Sequence, residues 1–306
     1  MNFLTFICHP MFEKFYKRFD NIFSEPSQRE NFRLYGTGLM LEIKRKNIWY
    51  ISEHIIDWDY QPMHHYMHDS PWYENRLNDQ RVDMLDNNRS TKSCDDGYAI
   101  IDDTGNPKSG DHTHATRKQW IGSLGKVETG QVVVTSHYAD SRKDWPIDHR
   151  PYLPQKWVDE HNELNGEEVY VFKSKLVLGL ELFDDLLKRG IRFSHLLVDA
   201  WYGNSPDFIC RSADQRKKGK GVESKKRLYI TSLYANRRVH FSLPGDESTK
   251  EHSVKDVVTI LNDDAYSETQ YTKANGDICT VYVADLRMKI KNLPGMRRVL
   301  IVKPTL

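Results

Sequence analysis

The chain has 306 residues and a mass of 35.9 kDa, which exceeds the usual size of one small domain and excludes a single motif-sized module. Apolar residues make up 39% and charged residues 28%, so the composition excludes a wholly disordered chain. Lys and Arg (44) nearly balance Asp and Glu (43), so any nucleic-acid surface must come from local segregation of charge.

The cysteine spacing and the hydropathy indicate a protein of the reducing cytoplasm. Cys8, Cys94, Cys210 and Cys279 show no CxxC spacing, which argues against a structural zinc site and against a disulfide-stapled secreted scaffold. No apolar run approaches the roughly twenty residues that a membrane helix needs. We therefore expect a cytoplasmic protein without a membrane segment.

Apolar residues recur at helical spacing from Pro10 to about Asn88, which predicts a set of short helices. Asp59 and the pair Ser70-Pro71 are typical of helix starts, with Ser70 as cap and Pro71 in the first turn. Short helices separated by turns resemble a helix-turn-helix DNA-binding module. A helical bundle with solvated charges is the alternative.

The best domain boundary is the polar stretch 87–97, where Asn, Ser, Thr, Lys and Asp cluster. We therefore expect a helical DNA-binding region over 1–92 and a second domain over 93–306.

Strands and a helix alternate beyond this boundary. The runs YAIIDDTG (98–105) and GQVVVTSHYA (130–139) predict buried strands. Residues 174–189 predict an amphipathic helix that Ser174 can cap. An apolar strand follows within 191–203, and a helix leading into a strand is typical of an α/β domain with parallel strands.

The last hundred residues differ, because short strand-like runs separated by polar turns predict an antiparallel β segment. The runs are 228–233, 239–243, 277–283 and 299–302. Asn275-Gly276 is a strong hairpin signal between two of them. We expect this β insertion at about 205–300, with an exposed basic loop over 216–227.

Two aspartates stand out, because each directly follows an apolar strand. Asp102 follows Ile-Ile and Asp199 follows Leu-Leu-Val. Carboxylates at the C-terminal ends of neighbouring parallel strands converge on one crevice, where a divalent cation can relieve their repulsion. The pattern favours a magnesium site for phosphodiester chemistry. The alternative is that both aspartates only cap turns or helices.

Three ordered blocks resemble bacterial insertion-sequence transposases of the DDE class. They are IIDDTGNPKSGDH (100–112), RKQWIGSLGKVETGQVVV (117–134) and VDAWYGN (198–204). The resemblance implies an RNase H-like α/β domain that carries the antiparallel β insertion and is preceded by the helical N-terminal domain. It also implies metal-dependent hydrolysis of phosphodiesters at insertion-sequence ends, followed by strand transfer.

The resemblance assigns roles to individual residues. Asp102 matches the first catalytic acid, with Asp103 as its close alternative, and Asp199 matches the second. The implied cofactor is Mg²⁺, with Mn²⁺ as an alternative. The implied partners are the terminal inverted repeats, target DNA and a second copy of the chain, at the bacterial nucleoid.

Basic residues after the first acidic strand and in the basic loop are expected to contact DNA phosphates, with simple solvation as the alternative. They are Lys108, Arg117, Lys118, Lys126, Lys217, Lys218 and Lys220.

The third acid of the family, a glutamate on a later helix, has no match up to Leu306. Glu268, Asp277 and Asp285 lie in the strand-like insertion and are poor substitutes. The alternative to an active transposase is therefore a truncated, catalytically inactive DNA-binding remnant, and the sequence leaves open whether this chain is an enzyme.

Overall fold

The computed structural model describes residues 10–55, 58–110, 113–167, 169–213, 228–242, 250–273 and 275–305. The chain divides into two compact units, Met1–Lys92 and Ser93–Leu306. Lys217, Lys218 and Lys220, with the rest of the basic loop 216–227, lie outside the described residues.

The first unit is helical. Its described α-helices are α1 (Pro10–Tyr16), α2 (Pro26–Met40), α3 (Ile48–His54), α4 (Tyr60–His68) and α5 (Glu74–Asn87). They bury two apolar clusters, one made of Phe19, Ile22, Phe23 and Tyr66 and the other of Leu34, Ile51, Ile55 and Met63. No helix formed by the described residues of the chain has the length and apolar character needed to cross a bilayer.

One predicted helix start in this unit is confirmed and the other is wrong. α4 begins directly after Asp59. At Ser70-Pro71 no helix begins, and α5 starts at Glu74 instead. The Gln28 side chain donates to Ser70 Oγ (2.8 Å) and to the Pro71 carbonyl oxygen (3.0 Å), so a tertiary contact from α2 holds this segment outside the helix.

The second unit contains a mixed sheet. Its strands are β1 (Tyr98–Pro107), β2 (Arg117–Ile121), β3 (Lys126–Ala139), β4 (Asp144–Tyr152), β5 (His195–Val198) and β6 (Leu228–Ile230). Their order is β2-β3-β1-β5-β6, and β4 also pairs with β3. β1, β5 and β6 are parallel, whereas the pairs formed by β3 are antiparallel. The predicted α/β class with partly parallel strands is therefore confirmed.

The run at 228–233 was expected in the antiparallel segment, and this expectation is wrong. β6 pairs in parallel with β5, and the Leu228 amide donates to the Ser194 carbonyl oxygen (3.1 Å). A three-residue apolar strand carries no periodicity that distinguishes a parallel edge strand from a hairpin strand.

Helices follow β4 and β5 in the second unit. They are α6 (Gln155–Asn165), α7 (Lys175–Lys188), α8 (Ala200–Gly203) and α9 (Pro206–Ala213). α7 confirms the predicted amphipathic helix, because Leu180 and Phe183 are buried while Val177 is exposed. It also confirms the predicted cap, because Ser174 Oγ accepts a hydrogen bond from the Val177 amide (3.3 Å). It packs on one face of the sheet, where a Cβ placed on Gly179 would lie 3.4 Å from Ile101.

A second, antiparallel sheet follows. Its strands are β7 (Arg238–Phe241), β8 (Lys250–Ser253), β9 (Ser267–Thr272), β10 (Ile278–Ile290) and β11 (Arg297–Lys303), with α10 (Val254–Ile260) after β8. The order is β11-β10-β7-β8, and β9 also pairs with β10. The hairpin predicted at Asn275-Gly276 joins β9 to β10, with Gly276 at φ 89°.

Ile121 fixes the β2–β3 hairpin onto β1. Its side chain is fully buried, and it lies where Gly105 and Gly130 leave room. A Cβ on Gly130 would lie 2.6 Å from the Asn106 carbonyl oxygen and 3.1 Å from Ile121. Because the nearest of these atoms belongs to the backbone of a paired strand, it cannot move without disturbing the sheet.

Replacing Gly130 by alanine is therefore expected to lower the free energy of unfolding by about 1–3 kcal/mol, the usual cost of overpacking. Urea denaturation of the two proteins measures the difference. Gly122→Ala is the matched control, because a Cβ on Gly122 meets nothing within 4 Å. Equal losses in the two variants would contradict the close approach at Gly130.

Asp140 organises a polar network at the β3–β4 turn. Its Oδ2 accepts hydrogen bonds from the Lys143 ammonium (2.6 Å) and from the fully buried Tyr138 hydroxyl (2.8 Å), and its Oδ1 accepts from the Arg142 amide (2.9 Å). Lys143, then the Arg142 amide and the Tyr138 hydroxyl, hold the pKa of the Asp140 carboxyl far below its usual range.

Asp140→Asn is expected to lower the thermal stability at neutral pH, because it removes the charge that Lys143 contacts. A carboxyl whose pKa is lower in the folded state contributes stability above its unfolded pKa of about 4 and loses it as the pH falls further. The melting temperatures of the two proteins should therefore differ at pH 7, and the difference should begin to shrink below about pH 4 and continue to shrink as the pH approaches the much lower pKa of the folded state. Asp144→Asn, at the exposed first residue of β4, is the control. A difference that persists unchanged at low pH would contradict this role of the charge.

Candidate active site

Strand register brings Asp102 and Asp199 to one edge of the first sheet. Ile101 and Val198 are register partners in the parallel pair β1–β5, so the two aspartates are the next residues on adjacent strands. Hydrogen-bonded strands lie about 4.8 Å apart. Ile101 and Val198 are both buried, and because side chains alternate, both aspartates lie on the face opposite α7.

Each of these aspartates has one carboxylate oxygen held by backbone amides. Asp102 Oδ1 accepts from the Asp103 amide (2.8 Å). Asp199 Oδ1 caps α8 and accepts from the amides of Trp201 (2.9 Å) and Tyr202 (3.1 Å). Within the described residues, neither Oδ2 has a hydrogen-bond donor, so each side chain is oriented and keeps an oxygen for a ligand.

Two threonines that the sequence analysis missed fix the backbone at the same positions. Thr135 donates its hydroxyl to the Asp102 carbonyl oxygen (3.3 Å), and Thr231 donates to the Asp199 carbonyl oxygen (2.8 Å). Both look like ordinary strand residues in the sequence. Gly203 leaves the room that Thr231 needs, because a Cβ there would lie 1.7 Å from Thr231 Oγ1, but only the structure shows this contact.

Electrostatics at this edge disfavours unneutralised negative charge. Burial first, and then the charges of Asp199 and Asp103, raise the pKa of the Asp102 carboxyl against the opposing hydrogen bond from the Asp103 amide. Burial and the same three aspartates also raise the pKa of the Tyr202 hydroxyl. That hydroxyl is buried without a hydrogen-bond partner among the described residues.

Asp103, the alternative first acid, lies on the other face of β1. Its carboxylate forms an ion pair with Lys175, the first residue of α7. The Lys175 ammonium also lies 5.5 Å from the centre of the Tyr152 ring. Asp103 is therefore neutralised by a protein cation, whereas Asp102 faces Asp199.

The basic residues predicted to contact DNA lie near the β2–β3 hairpin, in different environments. Lys118 and Lys126 are exposed, although Lys126 Nζ lies 3.0 Å from Glu128. Lys108 is half-buried. The Arg117 guanidinium forms an ion pair with Glu160 on α6, so a phosphate would have to compete with this carboxylate.

The donor set at Asp102 and Asp199 fits a divalent cation. Two carboxylates on one face, each with an oxygen left for a ligand, are hard oxygen donors, and a cation would relieve the repulsion that raises the pKa of Asp102. Magnesium in proteins is commonly held by one or two carboxylates together with waters and substrate phosphates. Over the described ranges, no group of three or more His, Cys, Asp or Glu side chains could hold a metal ion. Asp285, for example, is paired with Arg298 (2.8 Å).

Comparison with known proteins gives a consistent result. The family model of the DDE superfamily endonucleases matches residues 18–254, which include both aspartates, Thr135 and Gly203. The chain is also similar to a probable transposase for insertion sequence element IS701 from Microchaete diplosiphon, with 25% identity over 187 residues. That alignment covers 61% of this chain and 46% of the relative, so the chain matches about half of the relative's length. These matches do not favour the alternative of an inactive remnant.

Proposed function

The chain belongs to the DDE superfamily endonucleases, and from this premise we propose that it is a DNA transposase acting on insertion-sequence ends. Its first sheet, with parallel β1, β5 and β6 beside antiparallel β3 and β4, is the RNase H-like fold that this family implies. The observation that carries the proposal is the pair of aspartates, Asp102 and Asp199, on one edge and one face of that sheet.

The proposed reaction has two steps. In the first, a water oxygen attacks a phosphorus at the insertion-sequence end, and the bond from phosphorus to the 3′-oxygen breaks to leave a 3′-hydroxyl. In the second, that hydroxyl loses its proton and attacks a phosphorus of target DNA; the new bond joins the 3′-oxygen to this phosphorus, and the bond to the target's own 3′-oxygen breaks, which leaves a 3′-hydroxyl on the target. DDE superfamily endonucleases generally use divalent metals; we propose Mg²⁺, which would activate the attacking oxygen and stabilise the leaving oxygen.

Asp102 and Asp199 would hold the cation through the oxygens that backbone amides leave unoccupied. Thr135 would hold the backbone of Asp102 against β3, and Thr231 would hold the backbone of Asp199 against the residues after β6, because each threonine donates to the carbonyl oxygen of one aspartate. Preorganised ligands of this kind need no rearrangement when substrate binds. Lys108, Lys118 and Lys126, on or beside the β2–β3 hairpin, would neutralise phosphates of the same DNA away from the cleavage point, and the basic loop would add further contacts.

The proposed partners are the terminal inverted repeats, target DNA at the bacterial nucleoid and a second copy of the chain. The test uses the full chain with a supercoiled plasmid that carries the repeats. With Mg²⁺ we expect cleavage at the repeat ends and joining of the new 3′-ends to a target plasmid. EDTA and a plasmid with scrambled repeats are the controls. Cleavage that persists in EDTA, or equal cleavage of scrambled ends, would overturn the proposal.

A further inference from the structure

The β2–β3 hairpin, residues 117–130, carries an apolar surface that the proposed catalytic role does not use. We call it the Trp120 arm. Trp120 is 57% exposed, Val127 is 61% exposed, and the two are directly opposed across the hairpin. Leu124 at its tip is 45% exposed. Three large apolar side chains therefore lie in solvent on one short ribbon.

The other side of the arm is firmly attached to the sheet. Ile121 is buried against Gly105 and Gly130, and Gln119 Nε2 donates to the Gly130 carbonyl oxygen (2.7 Å). The ion pair between Arg117 and Glu160 fixes the start of β2 to α6. The exposed apolar side chains thus belong to an anchored element.

The exposed side of the arm continues the sheet face that carries Asp102. Asp102 is the register partner of Thr135, and every second residue of β3 from Thr135 back to Val127 lies on that face. Trp120 is the partner of Val127. The span from Thr135 to Val127 is about eight residues, or about 27 Å at about 3.4 Å per residue.

Charge and shape favour duplex DNA as the occupant of this surface. Lys118 is exposed and opposes Thr129 on the same face as Trp120, while Lys126 lies at the tip. A two-stranded β-ribbon fits the major groove of B-DNA. In that groove, apolar side chains can contact base edges, such as the thymine methyl group. Lys126 is the partner of the buried Ile121 and so lies on the other side of the ribbon, which leaves Lys118 as the cation beside the patch. An exposed apolar patch next to Lys118, on the face of Asp102 and Asp199, matches the base edges and phosphates of a duplex.

We propose that the Trp120 arm is a DNA-binding element in which the Trp120 indole contacts bases of the duplex. The contact lies about eight base pairs from the phosphodiester at Asp102 and Asp199, because about 27 Å corresponds to that number at about 3.4 Å per base pair. The inference rests on the proposed function and adds to it a specific contact and its distance from the cleavage point.

The test measures binding of the full chain, in EDTA, to a labelled duplex that carries the terminal inverted repeat. Trp120→Ala is expected to weaken binding about tenfold or more, a loss typical of a large aromatic side chain that becomes buried at an interface. Trp120→Phe keeps an aromatic ring and should bind within about threefold of the unchanged chain. Tyr271→Ala is the matched control, since Tyr271 is an exposed aromatic residue (49%) on another hairpin.

A second measurement locates the contact. 2-Aminopurine placed about eight base pairs from the cleaved phosphodiester should change its fluorescence with the unchanged chain and not with Trp120→Ala. Equal affinities of the unchanged chain and Trp120→Ala would overturn this inference and leave the proposed function standing. If Trp120→Ala lost self-association and kept its DNA affinity, this result would also overturn the inference, because the patch would then bind a second copy of the chain. Failure of the unchanged chain to bind any duplex would overturn the proposed function itself.

Discussion

Asp199→Asn is expected to reduce Mg²⁺-dependent cleavage at insertion-sequence ends by at least about 1,000-fold, equivalent to ~4 kcal/mol of transition-state stabilisation. The asparagine has the same shape and lacks the negative charge that would hold the cation. Its side-chain oxygen can still accept the amides of Trp201 and Tyr202, because asparagine caps helices about as well as aspartate does. The loss should therefore come from chemistry and not from unfolding.

Two measurements separate these causes. The melting temperature of Asp199→Asn without metal should stay close to that of the unchanged chain, whereas Asp199→Ala should lose the helix cap at a cost of about 1 kcal/mol. Addition of Mg²⁺ should raise the melting temperature of the unchanged chain and leave that of Asp199→Asn unaltered. Cleavage by Asp199→Asn at the unchanged rate would show that Asp199 is only a helix cap.

Replacing Asp102 or Asp103 by asparagine, one at a time, is expected to give two different phenotypes. Asp102→Asn should lose cleavage by about 1,000-fold or more, because Asp102 lies on the face of Asp199. Asp103→Asn breaks the ion pair with Lys175 and should lower the free energy of unfolding by about 1 kcal/mol, with less than about a tenfold effect on the rate. Cleavage assays and urea denaturation of the two variants measure both quantities.

The control for this pair is Lys175→Met, which removes the cation and leaves both aspartates in place. It should resemble Asp103→Asn in stability and in rate. The reverse pattern, with Asp103→Asn inactive and Asp102→Asn active, would assign the first catalytic acid to Asp103.

Local patterns predicted the parts of the fold that depend on neighbours in sequence. The helix after Ser174 follows from its cap and its apolar periodicity, and the β9–β10 hairpin follows from Asn275-Gly276. The convergence of Asp102 and Asp199 was predictable for a similar reason. Each aspartate follows an apolar run, and the parallel pairing of β1 with β5 stops one residue before the two aspartates, at Ile101 and Val198, although β1 itself continues to Pro107 alongside β3.

Contacts between distant segments were not predictable from these patterns. Gln28 overrides the helix signal at Ser70-Pro71 from 42 positions away. Leu228 joins the first sheet because β5 provides a parallel edge beside it. Thr135 and Thr231 look like strand formers until their hydroxyls are seen on the carbonyl oxygens of the two aspartates.

The placement of consecutive aspartates on opposite sides of β1 makes the site sensitive to slippage of a single strand. A shift of β1 by one residue against β3 would present Asp103 to the substrate and turn Asp102 towards Lys175. The same slip would also turn Ala99 and Ile101 out of the core, where both are fully buried. The burial of Ala99 and Ile101, just before Asp102, thus selects the carboxylate that reaches the substrate, because a chain with β1 shifted by one residue would expose these apolar side chains whenever it presented Asp103.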